Sequence, residues 1–240
     1  KNHRMDFDVP LIIPEINHTH FEIIKLQKRR FSKGGFIVTN PNCSTIVMVL
    51  ALYPIYRQFG LEKVIVSTMQ AISGAGYPGV PSLDILGNVI PYIKDEEEKM
   101  QTEPQKIFGK YENDKIKFAD FSVSAMCNRV PVQNGHTTSI SFRTSKRASK
   151  DDIIKSFDGI ENLGLPFSPE KVLQYFEDPS RPQPLLDINN GDGMTVSVGN
   201  LRECNLLDWK LTAFGHNTVR GAAGAAILNA ECLVKNNFIK

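Results

Sequence analysis

No apolar run in this 240-residue chain is long enough to span a bilayer, and the opening Lys1-Asn2-His3-Arg4-Met5-Asp6 is not built like a signal peptide. Neither a membrane anchor nor a secretory route is expected. An excess of charge of one sign is also missing. Lys and Arg number 28 against 26 Asp and Glu, and the resulting +2 gives no case for a nucleic-acid or membrane surface. Cysteine is scarce. Cys43, Cys127, Cys204 and Cys232 are too few for a disulfide scaffold and lack the CxxC spacing of a zinc site, so no metal is expected and a reducing, cytoplasmic compartment fits. There is no internal repeat, no low-complexity tract and no complete strand–GxGxxG–helix dinucleotide fingerprint. The first residue is Lys rather than Met, which reads as a fragment whose beginning is missing.

With 41% hydrophobic and 22% charged residues, the chain has an ordinary globular composition and enough apolar surface for a sizeable core. Its elements can be read in order. Val9 to Pro14 is extended and punctuated by prolines. Asn17 to His20 offers a cap for a helix over about Phe21 to Arg30, and Gly35 to Val38 looks like a strand. A helix follows from Ile46 to Gln58, then a β-branched strand from Lys63 to Met69 and a glycine-rich loop from Gln70 to Gly79. Pro81 to Tyr92 is short and amphipathic, and Asp95 opens a helix that ends by Gly109. Strands are expected over Lys115 to Val132, interrupted at Cys127-Asn128-Arg129, and over Thr137 to Thr144, Met194 to Leu201 and Asp208 to Phe214, the last two as neighbours. Ser149 to Asp152 resembles a capping box for a helix to about Phe157. Residues 159–193, rich in Pro, Asn and Asp, read as a surface excursion, and Asn217 to Val234 as a long Ala-rich helix. The fold class is α/β or α+β, with a mixed, largely antiparallel sheet and helices on one face.

The chain is organised around Thr39-Asn40-Pro41-Asn42-Cys43-Ser44-Thr45, where a strand is expected to turn into a helix. Asn42 or Cys43 would cap that helix. Free N–H groups and the dipole of its first turn lower a thiol pKa and can hold an oxyanion, which makes Cys43 a candidate nucleophile and the most reactive of the four thiols. The alternative is a buried structural cysteine. Asn134-Gly135 signals a hairpin that would bring Arg129 and His136 to one end of the sheet. His136 could serve Cys43 as an acid/base, and Arg129 could clamp a carboxylate or phosphate; otherwise they are a turn histidine and a surface arginine. Glu96 and Lys99, three apart, share a helix face, as a solvated charge run would too. His18, His20 and the three remaining cysteines carry no assigned role, and His216 is placed to cap a helix.

Six segments in order then resemble the aspartate-semialdehyde dehydrogenase family in its archaeal and fungal branch. They are Pro14-Glu15-Ile16-Asn17, Asn40-Pro41-Asn42-Cys43-Ser44-Thr45, Ser73 to Gly79, Glu96-Glu97-Glu98-Lys99, Cys127 to Val132 with Gly135-His136, and Asn217 to Gly224. The resemblance implies a glyceraldehyde-3-phosphate dehydrogenase-like C-terminal domain. It implies Cys43 as the nucleophile forming a thioester and His136 as acid/base. Arg129 would bind the substrate carboxylate, Gln70 and Glu96 would hold the substrate, and Lys99 with Asn42 would meet phosphate. Ser73, Gly74 and Asn217 would lie along NADP. The implied reaction is the NADPH-dependent reductive dephosphorylation of aspartyl 4-phosphate to aspartate semialdehyde and phosphate, in lysine, threonine and methionine biosynthesis, by a cytoplasmic homodimer or homotetramer. The family's Rossmann domain is not in this chain. Residues 1–42 would be its remnant, 43–216 the catalytic and dimerisation domain, and 217–240 a helix packing on it. The polypeptide alone is then expected to dimerise, to bind NADP weakly and not to turn over. Rival readings are a malonyl-CoA reductase of the same fold, a cysteine hydrolase using Cys43 and His136, and an inert isolated dimerisation domain. The Asn-Pro-Asn form before Cys43, the Cys-Asn-Arg-Val-Pro segment and Lys99 speak against the first. The glycine-rich loop and the Asn217 helix have no place in the second.

Overall fold

A computed structural model describes residues 2–31 and 34–239. Its centre is helix α2 (Cys43–Phe59), which follows the one-turn helix α1 (Pro14–Asn17). Every residue of α2 from Ser44 to Leu52 is buried. A helix apolar on all sides must be enclosed on all sides, and this one lies among the sheet, the other helices and the N-terminal segment. Gly60 ends it with a φ of +71°, a conformation that favours glycine.

One face of a six-stranded sheet covers α2. Its strands are β1 (Lys63–Gln70), β4 (Ser122–Arg129), β5 (His136–Arg143), β6 (Leu173–Phe176), β7 (Val196–Glu203) and β8 (Trp209–Gly215), while β2 (Lys110–Glu112) and β3 (Lys115–Lys117) form a separate hairpin. The order is β4-β1-β5-β8-β7-β6, with β1/β4 and β6/β7 parallel and the three central pairings antiparallel. Alternation decides the faces. On β1, Val64, Val66, Thr68 and Gln70 are buried while Lys63, Ile65 and Met69 are exposed. The remaining helices are α3 (Ser82–Ile85), α4 (Glu96–Ile107), α5 (Lys150–Ser156, with the Ser149/Asp152 capping box formed), α6 (Pro184–Asp187) and α7 (Gly224–Lys235). A second, smaller apolar cluster joins Ile12, Phe21 and Ile24 to Cys232 and Leu233 of α7, and the buried pair Arg220–Glu15 (2.8 Å) ties the same two ends of the chain together.

Several expectations need correcting. Gly35 to Val38 forms no strand; a single bridge pairs Leu11 with Thr39, because prolines at 10 and 14 supply no N–H donors to extend a ladder. The segment expected as a helix over 21–30 is 3-10 in geometry and spans His18–Arg29. Residues 159–193 contain β6 and α6. The Ala-rich helix starts with a wide turn over Val219–Ala223 before α7. Arg129 and His136 are not on a hairpin, since β1 lies between their strands. Among the described residues, no helix is long and apolar enough to cross a membrane, and no group of three or more His, Cys, Asp or Glu could hold a metal ion.

Candidate active site

Asn42 is the N-cap of α2, so Cys43 is the first helical residue. The Asn42 Oδ1 accepts the Ser44 and Thr45 N–H groups at 3.0 and 3.2 Å. Its Nδ2 donates to Glu96 Oε2 at 2.6 Å, and its backbone N–H donates to Glu103 Oε2 at 2.7 Å. The residue before the thiol is therefore held on three sides. Gly221 closes the fourth approach: a Cβ there would lie 2.6 Å from the Cys43 Cβ.

The two carboxylates come from one stripe of α4, where Glu96, Lys99, Glu103 and Lys106 recur at helical spacing. Lys99 Nζ meets Glu96 Oε1 at 2.8 Å. Burial alone would raise the Glu96 carboxyl; Lys99, Asn42 and Gln70 outweigh it and hold Glu96 below the usual range. Glu103 is buried and also accepts Arg4 Nη1 at 3.0 Å. Lys106 is buried as well, and its ammonium donates to the carbonyls of Arg4, Asp6 and Val9 at 2.7–2.8 Å. Glu103, Lys106 and Arg4 were not singled out from the sequence. The signal was present in the i, i+3, i+7, i+10 placement of charges beside the buried Met100 and Ile107.

The sheet supplies a second row. Gln70 pairs in register with Arg129 on one side and His136 on the other, and His136 pairs with Gly215. All three side chains lie on the covered face and are buried. Past this row the chain turns through Ile72–Ala75. The Ala71 N–H donates to His136 Nδ1 at 3.1 Å, and Arg129 Nη1 donates to the Ala71 carbonyl at 2.8 Å. A Cβ on Gly74 would lie 2.8 Å from Arg129 Nη1 and 2.8 and 3.0 Å from His136 Cε1 and Nε2. The guanidinium and the imidazole therefore converge on the bare backbone of Gly74. Asn217 ties the loop down: its Nδ2 donates to Ser73 Oγ at 2.9 Å and its Oδ1 accepts the Gly135 N–H at 2.8 Å.

Burial, then the Arg129 charge, pushes His136 down to about 4. It is neutral at ordinary pH, rather than poised near it as the sequence suggested. Because Nδ1 accepts from Ala71, the neutral ring carries its proton on Nε2, and that buried N–H has no partner among the described residues. The Cys43 thiol also departs from expectation. Burial and then the Glu96 carboxylate push it up to about 11, against the Ser44 N–H and Arg129, which pull it down. Cys127 is likewise raised to about 11 by burial, whereas the Leu207 and Leu206 N–H groups hold Cys204 below the usual thiol range. His216 accepts the Thr218 and Val219 N–H groups at 3.3 and 3.4 Å, at the start of the last helical segment. Thus Asn42, Cys43, Gln70, Glu96, Lys99, Arg129 and His136 form one linked site, with Ser73, Gly74 and Asn217 along its rim.

Residues 52–220 match the family described as semialdehyde dehydrogenase, dimerisation domain. An aspartate-semialdehyde dehydrogenase of Archaeoglobus fulgidus is 52% identical over 237 residues, covering 99% of this chain and 69% of that protein. The crystal structure of aspartate semialdehyde dehydrogenase with NADP from Candida albicans superposes with a TM-score of 0.88 at 40% identity, covering 100% of this chain and 70% of that one. The aspartate semialdehyde dehydrogenase II of Vibrio cholerae, complexed with ASA, gives a TM-score of 0.78 at 28% identity, over 98% of this chain and 70% of that one.

Proposed function

This chain belongs to the aspartate-semialdehyde dehydrogenase family, and from that premise we propose that its site converts aspartyl 4-phosphate to aspartate semialdehyde and phosphate through a thioester on Cys43. The observation that carries the proposal is the convergence of Arg129 and His136 on Gly74, beside a cysteine whose helix start is fixed by Asn42. Arg129 keeps one nitrogen on the Ala71 carbonyl and presents the rest of its fork to the substrate carboxylate. Glu96 and Gln70 take the substrate ammonium, and Lys99 with Asn42 takes the phosphoryl group. An ammonium paired with Glu96 also removes the carboxylate charge that raises the thiol, so the substrate itself helps to activate Cys43. The sulfur attacks the acyl carbon, the carbon–oxygen bond to phosphate breaks, and the thiol proton leaves with the phosphate. His136 cannot take that proton on Nε2, which already holds one. It donates its N–H to the developing oxyanion, which is the partner this buried group lacks.

NADPH, when bound, supplies the hydride that reduces the thioester. The residues present fit it: the loop is exposed from Gly74 to Gly79 and carries no side chain at 74, 76 and 79, which leaves its backbone open to a ligand. Ser73 and Asn217 would hold that rim in place through their mutual hydrogen bond. Residues 43–216 then form the catalytic and dimerisation unit. The small cluster joining residues 12–24 to α7 supports grouping 1–42 with 217–240 as the part that belongs to the cofactor domain. The uncovered sheet face, with Ile65, Met69 and Met126 exposed, is the surface for a homodimer, or for a tetramer built from it. The deciding experiment offers aspartyl 4-phosphate and malonyl-CoA separately and follows the mass of each cysteine peptide. One phosphate released per aspartyl group added at Cys43 is expected. Preferential malonylation, or acylation elsewhere, would refute the proposal.

A further inference from the structure

Glu103 contacts neither Cys43 nor the Asn42 side chain proposed to meet phosphate, which Glu96 holds; it is 1% exposed and spends one carboxylate oxygen on the backbone N–H of Asn42. Its other oxygen takes the guanidinium of Arg4, whose Nη2 donates to the carbonyl of Pro41 at 3.1 Å. Arg4 in turn lies on a segment clamped by the Lys106 ammonium through the carbonyls of Arg4, Asp6 and Val9. Glu103 and Lys106 are one turn apart on α4, and Glu96, two turns before Glu103, holds the Asn42 side chain. The Pro41–Asn42 junction is thus gripped by three charged groups, with Cys43 as the next residue. A buried carboxylate is costly to keep unless its bonds are made. This one makes them to the backbone that aims the nucleophile.

We propose that Glu103, backed by Arg4, is a positioning residue for Cys43: it fixes the Asn42 backbone and so the direction of the thiol at the start of α2. The proposal rests on Cys43 being the nucleophile. Replacing Glu103 by Gln keeps the length but turns an acceptor into a donor toward Arg4. The amide oxygen then cannot serve Arg4 and Asn42 together. A misdirected nucleophile slows the chemical step without weakening substrate contacts.

The test is the rate of Cys43 acylation by aspartyl 4-phosphate on the whole chain, resolved by peptide mass into a saturating rate constant and a half-saturating concentration. Glu103→Gln is expected to lower the rate constant about tenfold and to leave the half-saturating concentration within twofold. The double variant Arg4→Met with Glu103→Gln removes the donor conflict and should recover the rate constant to the level of Arg4→Met alone, which a purely structural role would not do. Should Glu103→Gln not fold, Arg4→Met alone tests the same link and should slow acylation several-fold. An unchanged rate constant in the folded variant, with only its melting temperature lowered, would overturn the proposal, as would an effect confined to half-saturation. Cys43→Ser run in parallel separates the two levels. Aspartyl transfer surviving in that variant overturns the nucleophile assignment and this proposal together, whereas its loss beside an unaffected Glu103→Gln overturns the positioning role alone.

Discussion

A methyl group at position 74 should damage the site far more than the fold. A Cβ there would sit 2.8 Å from Arg129 Nη1 and 2.8 Å from His136 Cε1, where ordinary contacts begin near 3.4 Å, so something must move by about 0.6 Å or more. The His136 ring cannot easily yield: it is fully buried and its Nδ1 is held by the Ala71 N–H. The exposed loop can, so Gly74→Ala should cost only about 1 kcal/mol of stability, the low end for overpacking. A loop shift carries Ala71, whose N–H and carbonyl orient His136 and Arg129, so the groups proposed to hold the oxyanion and the carboxylate lose their aim and Cys43 acylation should slow by about 100-fold. Gly76, two residues on, is the control. A Cβ there meets nothing within 4 Å, but its φ of +71° suits glycine, so Gly76→Ala should cost about 1–2 kcal/mol by backbone strain and leave acylation within a few-fold. Denaturant unfolding and mass-resolved acylation measured on both variants give opposite rankings if the reasoning holds. Wild-type acylation in Gly74→Ala would show that Arg129 and His136 do not work where they converge.

Other perturbations follow the same site. Arg129→Lys keeps a cation but cannot bridge the Ala71 carbonyl and a carboxylate with a planar fork, so acylation efficiency should fall about tenfold or more; a silent substitution would remove Arg129 from substrate recognition. With the Cys43 thiol pushed up to about 11 and Cys204 held below its usual range, iodoacetamide at pH 7.5 without substrate should label Cys204 first, and Cys43 should gain only as pH rises toward 11; early labelling of Cys43 would mean that Arg129 and the Ser44 N–H outweigh burial. Burial lowers both His136 and His20 from 6.5 to about 4, so the unfolded chain binds more protons in that window. The stability they contribute is present above pH 6.5 and is lost as pH falls toward 4, by on the order of 3 kcal/mol each. A urea midpoint unchanged between pH 6.5 and 4.5 would contradict it.

Much of the frame was legible because local chemistry and period agreed. Asn42 before a long apolar run marks a cap, and the Ser149/Asp152 box forms as its residues imply. The strands that alternate cleanly, such as Thr137 to Thr144, appear within a residue of where the pattern puts them. What failed was long-range. An Asn-Gly pair between two strands suggests a hairpin, but a turn signal cannot tell whether a third strand enters between them, and β1 does. The prolines flanking Leu11 to Ile13 weigh against a ladder, yet the partner at Gly35 to Val38 reads as a strand when taken alone.

The site was legible as residue types and not as electrostatics. Position at a helix start argues for a reactive thiol, and the Ser44 N–H does pull in that direction; but the sequence cannot show that Glu96 stands close enough, and water far enough away, to reverse the balance. The same blindness applies to His136. Its spacing from Arg129 points to one end of a sheet, while its proton is placed by a backbone N–H from Ala71, on another strand's continuation. The imidazole's surroundings come from the sheet. Gln70, Arg129 and His136 come into line only through the register of three strands, which closes the row over and removes water from it. Such surroundings favour Cys43 as a thiol and His136 as a neutral donor. Under the proposed function, the substrate brings the charge that completes the site, an ammonium against Glu96 and a phosphoryl group beside Lys99. On the proposed mechanism a thiol raised by burial and by Glu96 should react slowly without substrate, and the acyl phosphate that brings an ammonium to Glu96 is what should speed it.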